Sequence, residues 1–328
     1  MSPILQRRLL AAAILACAGA VQAQTPAPAP PASGPPDWSA YKIHVDKAKA
    51  LAGTEWAAEQ DYFCNPGQKP NLVTDRAIEP QRLFDNVSVI GDAGTVIYVV
   101  TTPAGVVLID SSYPTKLNDV VLPGLVKLGI DPASVKYVLI THGHVDHYGG
   151  AQWFQQHGAR VALGAKDWDL IASGRPEQVR AAPTRDIVAE DGKAILVGGV
   201  AFTPYDTPGH TPGSMGWMFP VQDGGKTRMA AVFGSSILRA ERLSADTVKL
   251  HDEGLRRWGQ LAARNKVEVE LQNHPLYDTM WERAARLKAG KPGDPNPFVI
   301  GPAGYRTFVA VMDECLKASV ARKGGKAD

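Results

Sequence analysis

Cysteine is scarce in this chain, with three residues in 328, at Cys17, Cys64 and Cys315. Once Cys17 is assigned to an N-terminal leader, one disulfide at most can form within the chain. A strong charge of either sign is also lacking. Lys and Arg number 35 against 33 Asp and Glu, a net charge of +2, and removal of Arg7 and Arg8 leaves 33 against 33. A chain so close to neutrality exerts no bulk pull on nucleic acid, which is therefore not an expected partner. Long hydrophobic runs are missing too. The apolar stretch Leu9–Ala18 is too short to span a bilayer, so no membrane span is expected.

What stands at the N-terminus instead is a targeting pattern. Arg7 and Arg8 precede the apolar stretch, and Val21-Gln22-Ala23 offers a small-residue cleavage site, so residues 1–23 read as a secretory signal peptide. Acylation of Cys17 as a lipoprotein is the minor reading, because Leu15 fits that motif poorly. Residues 24–37 form a Pro-rich tether without core-forming side chains. Residues 38–328 remain as one large domain, and 45% apolar residues are ample for its core. Periplasmic or secreted localisation follows. In such an oxidising compartment Cys64 and Cys315 are free to pair, though sequence separation does not decide whether they meet.

Hydropathy patterning alternates along the domain. It predicts strands over 87–91, 95–101, 105–110, 136–141, 159–163, 193–197, 199–205, 214–220, 227–233 and 267–272. Helices are predicted over 39–60, 115–128, 149–157, 165–172, 247–264, 278–289 and 304–320. Strand blocks flanked by helices imply an α/β protein with sheets covered by helices.

The chemistry concentrates in Thr141-His142-Gly143-His144-Val145-Asp146-His147-Tyr148, directly behind the apolar run Tyr137–Ile140. Three imidazoles and a carboxylate at a strand end are costly unless they share a task. They are the ligand types that zinc takes. His142 and His144, two apart, point to one side of an extended tip, and Asp146 and His147 lie past the bend, where they can address a second point. A lone histidine there would read as a solvated turn; the H-x-H-x-D-H spacing reads as a metal loop. His210 sits in the tight turn Thr207-Pro208-Gly209-His210-Thr211-Pro212-Gly213, and His274 follows the run Val267–Leu271. Each alone would pass for a hydrogen-bonded loop residue; beside the first cluster, both become ligand candidates. His44, His157 and His251 have no partner motif and read as structural or surface residues.

On these residues, with Val106–Asp110 and Asn273-His274-Pro275, the chain from Leu83 onward resembles the metallo-β-lactamase superfamily, and within it subclass B3. The resemblance implies an αββα four-layer sandwich and two zinc ions. It puts His142, His144 and His210 at one ion and Asp146, His147 and His274 at the other. It further implies that Asp146 aims the attacking water, that Asp110 orients a ligand histidine, and that Ser235 binds substrate. Lactonases, glyoxalase-II-like thioesterases and RNA-processing nucleases of the superfamily carry a bridging aspartate after the strand matching 228–233, and two other lactamase subclasses carry cysteine there. This chain has Gly234-Ser235-Ser236, similar to the B3 pattern. Two departures stand out: Asp110 is followed by Ser111-Ser112 rather than Thr-Gly, and a second substrate-gripping serine would fall near Ile237.

The implied activity is opening of a β-lactam ring by hydroxide generated on the two zinc ions, with no covalent enzyme intermediate. The expected partner is this small-molecule substrate, with a monomer as the favoured state. The alternative is a related zinc hydrolase of lactones or thioesters. A non-catalytic zinc-binding protein on the same fold would show degenerate ligands, and all six positions are filled.

Overall fold

In the strand Val96–Thr102, alternate residues face opposite ways: Val96, Tyr98 and Val100 pack in one core cluster, Ile97 and Val99 in another. A strand buried on both faces belongs in the middle of a layered protein. The computed structural model describes residues 34–65, 76–174, 179–235, 243–275 and 279–324. The leader with Arg7, Arg8 and Cys17, most of the tether, and Ile237 lie outside the described residues.

Two sheets form. The first runs in chain order through β1 (Gln81–Phe84), β2 (Val87–Gly91), β3 (Val96–Thr102), β4 (Gly105–Ile109), β5 (Val135–Leu139), β6 (Arg160–Gly164) and β7 (Ile187–Ala189). Its first four strands pair antiparallel, and β4 to β7 are parallel. The second contains β8 (Ile195–Val197), β9 (Val200–Asp206), β10 (Met215–Asp223), β11 (Lys226–Val232) and β12 (Val267–Leu271), in the order β12-β11-β10-β9-β8, with β11 and β12 parallel.

Three apolar clusters define the layers. Between the sheets lie Tyr98, Val107, Ile109 and Leu139 from the first and Phe202, Trp217, Phe219 and Val232 from the second. The outer face of the first sheet packs Ile97, Val99 and Val138 under Leu125, Phe154 and Trp168. These belong to the helices α3 (Leu122–Lys127), α5 (Ala151–Gln156) and α6 (Ala165–Ala172). The outer face of the second sheet packs Met218, Ala231 and Phe233 under α1 (Trp38–Ala52), α2 (Ala57–Cys64), α7 (Ala245–Arg264) and α9 (Gly301–Arg322), with α8 (Met280–Ala289) between the last two in sequence. This is the αββα sandwich. Cys64 at the end of α2 and Cys315 in α9 are joined by a disulfide.

Several expected elements shift for identifiable reasons. The predicted helix 39–60 breaks into α1 and α2 at Gly53, whose φ of 54° ends the first helix. The stretch 115–128 is a 3₁₀ turn, a π turn and α3, with a proline in the first turn of α3. The helix expected over 149–157 forms as α5, and a separate short helix, α4 (Val145–Tyr148), precedes it, so Asp146 and His147 lie on a helical turn. Strands β1 and β7, at the two edges of the first sheet, were not expected.

Candidate metal centre

Parallel pairing aligns strand ends. The C-terminal ends of β4 and β5, and of β11 and β12, open on one edge of the sandwich, and the loops that follow carry Asp110, His142, Ser235 and His274. The turn between β9 and β10 brings His210 to the same edge. Two bonds tie the sheets there: Met215 N–H donates to the Thr141 carbonyl at 2.8 Å, and Trp217 Nε1–H to that of Ile140 at 3.2 Å.

All six candidate ligands meet at this edge, in two triads. His142, His144 and His210 form one, Asp146, His147 and His274 the other, with the ligand atoms of each within 4.8 Å of one another. His144 Nδ1 faces His210 Nε2 at 3.0 Å, and Asp146 Oδ2 lies 3.3 Å from His147 Nε2. The rings of His142 and His147 sit 3.9 Å apart, so the triads are adjacent. His142, His147 and His274 are buried, while His144 is exposed and opens the first triad to solvent.

The polar atoms test whether a metal fits. Of the buried rings of His142, His147 and His274, that of His142 leaves Nε2 without a hydrogen-bond partner, and His147 Nε2 has Asp146 Oδ2 at 3.3 Å. A buried orphaned nitrogen costs about 1–3 kcal/mol, and its place among five further candidate ligands fits a site that a cation would complete. The other nitrogens of the three rings are fixed. His147 Nδ1–H donates to Asp110 Oδ2 at 2.7 Å, His274 Nδ1–H to the Gly94 carbonyl at 2.6 Å, and His142 Nδ1 lies 3.2 Å from Thr141 Oγ1. Locking the proton on Nδ1 leaves the Nε2 lone pair as ligand.

Electrostatics agree with a cation site. Burial, then neighbouring imidazoles, hold His142 and His210 well below the usual histidine range, and burial brings His274 down to about 4. His147 differs: burial lowers it, but Asp146 and Asp110 outweigh burial and raise it to about 10. Burial pushes Asp146 up, yet His147 and the other imidazoles pull it well below the ordinary carboxylate range. Two carboxylates thus draw positive charge to His147, and a divalent ion held there would replace the proton.

Asp110 is fully buried at a φ of 64°. Its Oδ1 accepts Thr141 N–H at 2.7 Å and its Oδ2 accepts the Thr141 hydroxyl at 2.8 Å, besides His147. Ser235, expected to bind substrate, is buried beside the His210 turn. Its hydroxyl donates to the Thr207 carbonyl, and its oxygen accepts His210 N–H at 3.4 Å. Through these two bonds Ser235 is tied to the turn that carries His210. Gly209 shapes the same turn at a φ of 138°, where a Cβ would lie 2.1 Å from His251 Nδ1.

Three residues given no role in the sequence reading matter here. Thr141 links Asp110 to Asn273, whose amide donates to its hydroxyl at 3.1 Å. Tyr113 is half-buried, its phenol pushed up to about 12 by burial and then by Asp146 and Asp92. Asp167 at the start of α6 is fully buried; as an acid in a first helical turn, it looks ordinary in sequence. The other histidines stay apart from the triads. His44 pairs with Glu314 at 2.7 Å, His157 stacks on Trp153, and His251 is buried behind Gly209 without a hydrogen-bond partner.

Comparison with known proteins adds three findings. The family described as the metallo-beta-lactamase superfamily matches residues 90–221. In structure, the chain is similar to BJP-1, a subclass B3 metallo-beta-lactamase of Bradyrhizobium japonicum, at 28% identity and a TM-score of 0.66, covering 76% of this chain and 96% of that one. In sequence, it is 31% identical over 94 residues to the hydroxyacylglutathione hydrolase GloC of Haemophilus influenzae, covering 26% of this chain and 44% of that protein. It is 26% identical over 201 residues to the hydroxyacylglutathione hydrolase of Cereibacter sphaeroides, covering 54% and 73%. The chain thus spans less than half the length of the Haemophilus relative it matches.

Proposed function

Because the chain carries a metallo-beta-lactamase superfamily domain and shares the fold of subclass B3 enzymes, we propose that it is an exported dizinc hydrolase that opens the ring of β-lactams. The observation that carries hydrolysis is the pair of triads, complete at all six positions. Imidazole and carboxylate donors suit zinc, and His144 stands where iron-dependent relatives place a carboxylate. Two zinc ions held there would supply a Lewis acid for the scissile carbonyl and lower the pKa of water.

The chain's own residues do the rest. Asp110 and the Gly94 carbonyl hold protons on His147 and His274 Nδ1, so that both rings present Nε2 at a fixed angle. Asp146 stays ionised across the working pH range. With one oxygen turned toward His147, its other oxygen accepts a hydrogen bond from the attacking water and aims it. The exposed His144 side gives the substrate its approach. Export is supported by the leader pattern and by the Cys64–Cys315 bond, which belongs to oxidising compartments.

Lactam as the substrate is supported by similarity along 96% of a B3 enzyme and by Ser235 standing where thioesterase relatives carry a bridging aspartate. A second reading, hydrolysis of a thioester or lactone, is favoured by the sequence similarity to hydroxyacylglutathione hydrolases. The test is turnover by purified, zinc-loaded protein of a penicillin, a cephalosporin, a carbapenem, a hydroxyacylglutathione and a homoserine lactone, each with and without chelator. Chelator-sensitive lactam cleavage supports the first reading. Thioester or lactone cleavage alone replaces it with the second, and turnover indifferent to chelator sinks both.

A further inference from the structure

Asp167 belongs to neither triad, yet it touches the loops that carry the first one. Its Oδ2 accepts Gly143 N–H at 2.6 Å and the Thr211 hydroxyl at 2.5 Å, and its Oδ1 accepts Gly213 N–H at 2.7 Å. Gly143 lies between His142 and His144, and Thr211 follows His210. The first loop leaves one sheet and the second joins strands of the other. We propose that Asp167 is a positioning residue that sets the spacing of His142 and His144 against His210, and so the metal affinity of that triad; the inference rests on reading the three histidines as ligands.

The surroundings are built for this contact. A Cβ on Gly213 would lie 2.5 Å from Asp167 N and 2.9 Å from its Oδ1, and one on Gly143 would lie 3.2 Å from its Cβ. Both loops approach the carboxylate because they carry no side chain there. Thr211 is also held: Ser214 Oγ lies 2.6 Å from its hydroxyl and accepts its N–H at 3.1 Å. With Ser214 as donor to Thr211, the Thr211 proton is directed at Asp167. His144 and His210, whose facing nitrogens stand 3.0 Å apart, are each one residue from a group the carboxylate grips. Loss of that grip lets the two loops separate without touching the second triad, which is braced by Asp110 and Gly94.

The test follows the histidine ring ¹⁵N signals of the full chain in zinc buffers, for wild type, Asp167→Asn and Thr211→Val. Asn keeps the size but offers one acceptor where two oxygens now serve three donors. In Asp167→Asn, the signals of His142, His144 and His210 should need about 10–100-fold more free zinc, the usual effect of removing a partner behind a ligand, while His147 and His274 titrate as in wild type. Thr211→Val, which removes one bond and spares the carboxylate, should give a smaller shift in the same direction and serves if Asp167→Asn folds poorly. An equal shift of both triads, or a lower melting temperature with zinc binding unchanged in both variants, would overturn the assignment and leave Asp167 as an ordinary structural residue. Wild-type protein in which the first triad takes up no zinc would overturn the ligand reading itself, and the inference with it.

Discussion

Asp110→Asn is the sharpest perturbation of the second triad. The residue sits at a φ of 64°, a left-handed conformation that asparagine adopts readily, so the backbone has no reason to move. The side chain changes in one respect. The carboxylate accepts three hydrogen bonds, Thr141 N–H on Oδ1 and the Thr141 hydroxyl and His147 Nδ1–H on Oδ2. Asparagine has a single oxygen. With that oxygen on Thr141 N–H, its amide group points a donor at His147 Nδ1. His147 then accepts through Nδ1 and carries its proton on Nε2, where the metal would bind. The reverse orientation sets the amide against Thr141 N–H and orphans a buried donor, at about 1–3 kcal/mol.

Either arrangement should weaken zinc at Asp146, His147 and His274 by about 10–100-fold, which is about 1.4–2.7 kcal/mol. Native mass spectrometry at buffered free zinc reads this directly. At concentrations that fill both sites of the wild type, the variant should accumulate as a one-zinc species, and turnover should return as zinc is raised. Two-zinc occupancy at wild-type concentrations, with only a lower melting temperature, would refute the tautomer argument.

Other outcomes follow from the same geometry. Chelation should lower the melting temperature, because a ligand bound only by the folded state stabilises it in proportion to the logarithm of its concentration; an unchanged melt in EDTA would contradict the metal site. Cys315→Ser opens a bridge spanning 251 residues and should cost about 2–5 kcal/mol, read as a lower denaturation midpoint that reductant does not lower further. Glu59 is fully buried with neither carboxylate oxygen hydrogen-bonded, and burial pushes it from 4.5 up to about 8. The folded state therefore holds this proton more tightly than the unfolded chain, and its contribution to stability is whole below pH 4.5 and lost as pH rises through about 8. Glu59→Gln should flatten the fall in denaturant midpoint between pH 5 and pH 9, about a few kcal/mol in the wild type; an unchanged slope would assign that fall to other groups. Gly209→Ala forces a Cβ into the His251 ring at a φ of 138° and should cost about 1–3 kcal/mol, with weaker zinc binding at His210. A wild-type melt would show that the turn relaxes freely.

The six candidate ligands were legible as a cluster because metal chemistry restricts residue type and spacing within a few positions. Four of them fall in one short loop, and the other two follow strands with clear apolar runs. The layered fold was legible for a related reason: Val96–Val100 and Met215–Val221 are buried on both faces, and continuous apolar runs announce it. Strand β7 was not legible, since three residues pairing along one edge carry no periodicity. Helix α4 was missed because four residues carry no helical period and His144 caps them without a side-chain hydrogen bond. Asp167 left no local signal at all, because its partners lie 24, 44 and 46 residues away. Ser235 was legible as a position, but its bond to the Thr207 carbonyl was not, because only the fold brings that carbonyl to it.

Each triad draws two ligands from the first sheet and one from the second. His142 and His144, like Asp146 and His147, follow β5; His210 and His274 follow β9 and β12. The geometry of the candidate metal centre is therefore set by how the sheets sit against each other, and the core between them is part of the site. Tyr98 makes this concrete. Its side chain lies in that core, yet its hydroxyl donates to the Gln272 carbonyl at 2.7 Å and accepts Gln272 N–H at 3.1 Å, fixing the strand end two residues before His274. Thr141 does the same from the other side, bonding Asp110 within its own sheet while its hydroxyl accepts from Asn273 and its carbonyl accepts Met215 N–H. A site divided in this way keeps its spacing only while the sheets keep theirs. Two of the buried carboxylates, Asp110 and Asp167, stand between the candidate ligands and the loops that carry them, Asp110 bonded to His147 and Thr141 and Asp167 to Gly143, Thr211 and Gly213.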